Sequence, residues 1–160
     1  MLSNFFKYNL SSFAILFSLY IPSKVNEYQI FSSIFLALSS SLYHSEHKKK
    51  YYLLFDNIAI TNMCVYCATK NVILSILLSL FTLCYNNKKM TQLIYLCCNI
   101  YRLPFLSVYI QIAWVLSMMH FYYIAEYKKI TMSPINKYIW HITQGIGIGY
   151  HYESINLIEV

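Results

Sequence analysis

The sequence predicts an all-α, polytopic integral membrane protein of seven transmembrane helices, and three observations lead there. The chain is 58% hydrophobic and 11% charged, against about 25% charged in soluble domains. Its apolar runs recur along the whole length, separated by short polar clusters such as Lys48-Lys49-Lys50 and Asn86-Asn87-Lys88-Lys89. Three Gly and three Pro in 160 residues leave little material for long loops. A soluble domain of this size has too little interior to hide so much apolar surface. A single transmembrane domain, residues 1–160, is therefore expected.

Taken in order, the first span is Leu10 to Ile21, ending at Pro22-Ser23-Lys24. With Lys7 as a basic flank it has the outline of a signal peptide, but no small-residue cleavage site follows, which favours a retained helix. The second span runs from about Tyr28 to His44, and the third from Tyr51 to about Thr69. The fourth, Val72 to Tyr85, and the fifth, about Met90 to Tyr101, are short for a bilayer that usually takes about 20 apolar residues. The sixth is Phe105 to about Ala125. Ser133-Pro134 reads as N-cap and first helical residue of the seventh, which reaches about Tyr150.

Orientation follows from the basic residues. With seven spans, nine lysines share the side of the N-terminus, and Lys24, Lys70 and Arg102 fall on the other. The positive-inside rule then places the N-terminus in the cytosol and the C-terminus outside. The net charge of +6 is accounted for by these loops, so a nucleic-acid partner is not expected. Membrane lipid is the expected partner, and the sequence names no protein partner. The five cysteines all sit in apolar runs and read as small buried hydrophobes rather than a disulfide framework. Cys64 and Cys67 have CxxC spacing, but no second pair accompanies them.

Chemistry concentrates between Ser40 and Asp56. A carboxylate inside an apolar run is costly in a membrane and marks a functional position. Ser40 and His44 are spaced i, i+4, on one helix face. In the seven-span topology His44, Asp56, His120 and His141 lie roughly 7–11 Å into one side of the membrane. Neutral imidazoles converging in an apolar cavity suit zinc, with water completing the tetrahedron. Asp56 would serve as general base or hold the water, and Ser40 would hydrogen-bond the oxyanion or that water. Such a site meets lipid substrates directly, so an amide or ester of a lipid is the expected target. Plainer roles stand beside these. Ser39, Ser40 and Ser41 suit helix contacts, and Asp56 can pair with Lys137 with no metal present. The Gly145-x-Gly147-x-Gly149 run reads as a close helix-packing face.

Ser40-x-x-x-His44, Asp56 twelve residues later, and Trp140-His141 on the last helix together resemble the CREST superfamily of seven-helix membrane hydrolases. That group includes the alkaline ceramidases, PAQR receptors, hemolysin III proteins and GPI-anchor-remodelling phospholipases. Ser40–Ser45, Phe55–Ile60 and the placing of His151 are most similar to PAQR and hemolysin III proteins, while Trp140–Thr143 followed by Gly145 is more similar to the ceramidases. The resemblance implies a zinc-dependent hydrolase with His44 and His141 as metal ligands and with Ser40 and Asp56 completing the site. The family's HxxxH motif would place its first histidine at position 137, which is Lys137 here. A protonated lysine is no zinc ligand, which leaves His120 as the candidate third ligand. Two alternatives stay open: a catalytically silent relative acting as a receptor-like or membrane-remodelling protein, and a small proton-coupled pore or transporter.

Overall fold

The computed structural model describes residues 12–45, 50–85, 88–102 and 134–156. A 3-10 segment, Ala14–Leu19, leads into helices α1 (Glu27–Ser45), α2 (Lys50–Thr69), α3 (Val72–Tyr85), α4 (Lys88–Arg102) and α5 (Pro134–Asn156). The expected second to fifth spans and the start of the seventh coincide with α1 to α5 to within two residues. The expected first span holds the 3-10 segment, and the sixth lies outside the described residues.

The seven-transmembrane-helix reading is corrected. Among the described residues, no helix is long and apolar enough to cross a membrane. The reason differs from helix to helix. α1 has the length, but Gln29, the serines at 32, 33, 39, 40 and 41, and His44 dilute its apolar residues. α2 begins at Lys50 and carries Asp56, Asn57, Thr61 and Asn62. α5 mixes Gln144, His141, His151 and Glu153 with glycines. α3 is almost wholly apolar but has 14 residues, a rise of about 21 Å against a hydrocarbon core of about 30 Å.

The helix ends show why the chain turns where it does. Asn26 caps α1: its Oδ1 accepts from the Gln29 backbone N–H at 2.8 Å, and Gln29 Oε1 accepts from the Asn26 N–H at 3.0 Å. This reciprocal capping box satisfies two donors that would otherwise be stranded. α2 ends at Lys70, whose φ of 58° is left-handed. Its N–H donates to the Tyr66 carbonyl at 2.8 Å, and its ammonium reaches the Ile155 carbonyl in the last turn of α5 at 3.2 Å. Asn71 then caps α3 by accepting from the Leu74 N–H at 2.9 Å. Only Lys70 and Asn71 separate α2 from α3, so the two pack as an antiparallel hairpin.

α2 is the centre: it packs against α1, α3 and α4 and touches α5. α5 lies mainly against the 3-10 segment. That approach is close because a Cβ at Gly145 would stand 2.6 Å from the Ala14 carbonyl oxygen, and one at Gly149 would stand 2.8 Å from Ile21 Cβ. The expected glycine packing face is thus seated on the N-terminal segment. The core joins Ile15, Leu36, Ala59, Met63, Ile148 and Tyr152, contributed by that segment, α1, α2 and α5.

Polar residues tie these pieces together from inside. Tyr28 donates to Asn62 Oδ1 at 2.6 Å and lies 2.7 Å from Ser75 Oγ, while Asn62 Nδ2 donates to Ser32 at 3.2 Å. One tyrosine thereby links α1, α2 and α3. A second chain joins Ser18 to Ser33 at 3.0 Å and Ser33 to Tyr152 at 3.2 Å, linking the 3-10 segment, α1 and α5. Buried polar groups are tolerated when paired in this way.

Candidate functional site

The C-terminal end of α1 meets the beginning of α5. On α1, the i, i+4 spacing puts Ser40 and His44 on one face; Ser40 is 5% exposed and His44 half-buried. On α5, His141 is 1% exposed. The rings of His44 and His141, 97 positions apart in sequence, have centroids 5.3 Å apart at an interplanar angle of 63°. Trp140 closes one side, edge-on to His44 at 6.4 Å and 4.6 Å from the His141 ring. Tyr43 packs 5.4 Å from His44. Asp56 lies one and a half turns into α2 and is 8% exposed.

The donor pair can be tested against a metal. Two imidazoles sharing one tetrahedral zinc, with Zn–N bonds of about 2.0–2.1 Å, hold their ring centroids about 5 Å apart. The observed 5.3 Å fits that spacing. It also suits a plain edge contact between rings, which spans about 4.5–7 Å. Among the described residues, no three of His, Cys, Asp and Glu converge as a metal-holding group. So Asp56 does not join the two histidines as a third ligand. His120, the expected third ligand, lies outside the described residues, as does the side chain of Lys137, the expected alternative partner of Asp56. The backbone of Lys137 lies on α5, one turn before His141.

Of the five candidate site residues, the structure therefore brings His44 and His141 together, puts Ser40 on the His44 face, and buries Asp56 on the neighbouring helix. His151 is buried farther along α5, ten residues and about 15 Å from His141. The CxxC residues Cys64 and Cys67 are buried free thiols on α2, whereas Cys84 and Cys97 are exposed. Burial pushes the Cys64 thiol well above its ordinary range, with Cys98 and Cys67 adding to the rise. Burial likewise raises Tyr152. A thiol held protonated is a poor nucleophile and a poor metal ligand.

Sequence reasoning assigned nothing to Tyr28, Asn62, Ser32 and Ser75, which form the polar link between α1, α2 and α3. A signal was present: Ser75, Ser79 and Thr82 recur at helical spacing on an otherwise apolar α3, marking its one inward stripe. In comparison with protein-family models, with curated proteins and with solved structures, no match is found.

Proposed function

We propose that the chain is a metal-dependent hydrolase of a lipid amide or ester, of the CREST type by its motifs though not by a seven-span layout. The single observation that carries this reading is the meeting of His44 and His141 at a spacing suited to one zinc ion. Zinc in such a site supplies a water of lowered pKa and polarises the substrate carbonyl. In this reading the two neutral imidazoles hold the ion, and His120 supplies the third nitrogen. Trp140 packs against both histidine rings and fixes their orientation. Asp56, buried on the next helix, would be the group to take a proton from the attacking water. Ser40, one turn before His44, donates to the oxygen that gains charge.

A second reading is supported by Lys137, which stands one turn before His141 where the family motif would place an imidazole. In it, the histidine and tryptophan rings form a packing contact between α1 and α5, and the chain works through helix contacts rather than catalysis.

Metal analysis of the purified full chain separates the two. The hydrolase reading expects about one zinc per chain, lost in His44→Ala and in His141→Ala, with hydrolysis of a fluorescent lipid-amide and lipid-ester panel lost alongside it. A wild-type chain that keeps its helicity yet holds no zinc, after exposure to the ion, removes the hydrolase reading and leaves the packing contact.

A further inference from the structure

The burial pattern of α3 is turned inside out, and that of α1 is so in part. On α1, Ser32, Ser33 and Ser40 are buried with Leu36 and Ala37, while Phe31, Ile34 and Leu38 are exposed. On α3, Ser75, Ser79 and Thr82 are buried, and every Val, Ile, Leu and Phe from Val72 to Leu83 is exposed, Ile73 to 71%. The inward hydroxyls are satisfied within the helix: Ser75 donates to the Val72 carbonyl, Ser79 to Ser75 and Thr82 to Ser79. Water outside would favour the opposite arrangement, because each exposed large apolar side chain forgoes the gain of burial. Contiguous apolar surface of this extent marks a contact with something apolar.

We propose that the α2–α3 hairpin docks into lipid, with the outer surface of α3 seated in the hydrocarbon of a membrane and the C-terminal end of α3 at the headgroup layer. Two observations choose lipid over a protein partner. First, at about 100° per residue the exposed positions from Val72 to Cys84 sweep about 240° around α3. A protein surface docks on one face of a helix, whereas acyl chains flow around it. Second, the charge is arranged at one end. Because the hairpin is antiparallel, the start of α2 points to the same end as the close of α3, and, with six more residues, α2 carries Lys50 about 9 Å beyond it. In sequence, Lys48 and Lys49 adjoin Lys50, and Lys88 and Lys89 follow the close of α3 by three and four residues. Basic residues at this end complement anionic headgroups. At the opposite end Lys70 donates its ammonium to the Ile155 carbonyl, so its charge is met inside the protein. α3 rises about 21 Å, less than a hydrocarbon core about 30 Å thick, so it does not cross it.

This docking surface does not depend on the hydrolase reading: it involves no site residue, and its test contains no metal or substrate. The full chain is reconstituted in vesicles of phosphatidylcholine and phosphatidylserine, four to one, with a nitroxide on Leu77→Cys in a Cys84→Ser, Cys97→Ser, Cys98→Ser background. A second sample carries the label on native Cys84, with Cys97→Ser and Cys98→Ser, so that α3 is unaltered. Collision with dissolved oxygen and with a water-soluble nickel chelate is then read by paramagnetic resonance. The expected result is high oxygen and low nickel access at Leu77, with an oxygen-to-nickel ratio several-fold higher there than at Cys84, nearer the lysine end. Strong nickel access at Leu77 would mean an aqueous face and overturn the proposal. Low access to both probes would mean that a second copy or another segment of the chain covers α3, and would overturn it equally. If the Leu77 variant fails to fold, the Cys84 sample decides alone: oxygen access exceeding nickel access supports lipid contact, and the reverse contradicts it.

Discussion

α2 and α3 are neighbours joined by two residues, yet they solve opposite problems. α2 carries Asp56, Asn57, Thr61 and Asn62 and is the most enclosed helix among the described residues. α3 is nearly pure hydrocarbon and among the most exposed. Hydropathy alone would exchange their places. What decides instead is pairing. Asn62 has Tyr28 and Ser32 to bond to, so enclosing it leaves no stranded group. α3 offers only Ser75, Ser79 and Thr82 to that network and turns the rest of its circumference outward. The interior joins an apolar core around Met63, Ile148 and Tyr152 to buried hydrogen bonds, and α3 keeps its apolar side chains for the outside.

Four experiments break or sharpen that contrast, taken from the largest expected effect. Asn62→Leu keeps the branched shape of the side chain but removes both of its bonds to α1. It should destabilise the fold by about 2–3 kcal/mol, since a buried group loses its partner, as measured by chemical denaturation. Gly145→Ala forces a Cβ to 2.6 Å from the Ala14 carbonyl oxygen, a backbone atom that yields only if the 3-10 segment moves. The expected cost is about 1–3 kcal/mol, partly offset by about 1 kcal/mol of helix propensity, and a lower thermal midpoint reports it. Thr82→Val on the inward stripe of α3 removes a hydroxyl that donates to the Ser79 carbonyl of its own helix, so a change within about 1 kcal/mol is expected. Leu77→Gln on the outward arc should change stability away from lipid by less than about 0.5 kcal/mol, while lowering the fraction that floats with vesicles.

Alkali attacks the same enclosed interior by another route. Burial pushes the Cys98 thiol from 9.0 to about 11, with Cys97 adding to it, and drives Cys64 and Tyr152 up as well. Groups whose pKa is raised on folding stabilise the fold fully below their unfolded value and lose that contribution as pH rises through the folded one. Stability should therefore hold up to about pH 9 and fall between about 9 and 11. A flat denaturation midpoint across that window would show that these groups reach water in the folded state.

Much of the helix layout was legible. The apolar run from Val72 to Tyr85 defines α3 to the residue, and the span begun at about Tyr28 falls one residue from the start of α1. For His44 and His141, whose rings lie 5.3 Å apart, the sequence offered a shared depth only through a seven-span topology that the helices do not keep. The crossing of a membrane was not legible, because composition sums apolar residues without recording how short or how interrupted each run is. Nor was the polar link through Tyr28, whose partners at 62 and 75 are 34 and 47 positions away and carry no local pattern. Spacing on α5 supplies no third donor beside the two histidines, since Lys137 occupies the position at which a helical repeat would place one.

The most direct test of the central claim is the stabilisation that zinc confers on wild type, His44→Ala, His141→Ala and the double variant. An ion that binds only the folded chain stabilises it by about 2.7 kcal/mol at a hundred times its dissociation constant. The account predicts that wild type gains this increment, that each single variant loses nearly all of it, and that the double variant loses no more than either. No zinc-dependent shift in wild type, or a shift that survives loss of both imidazoles, would contradict a metal shared between His44 and His141.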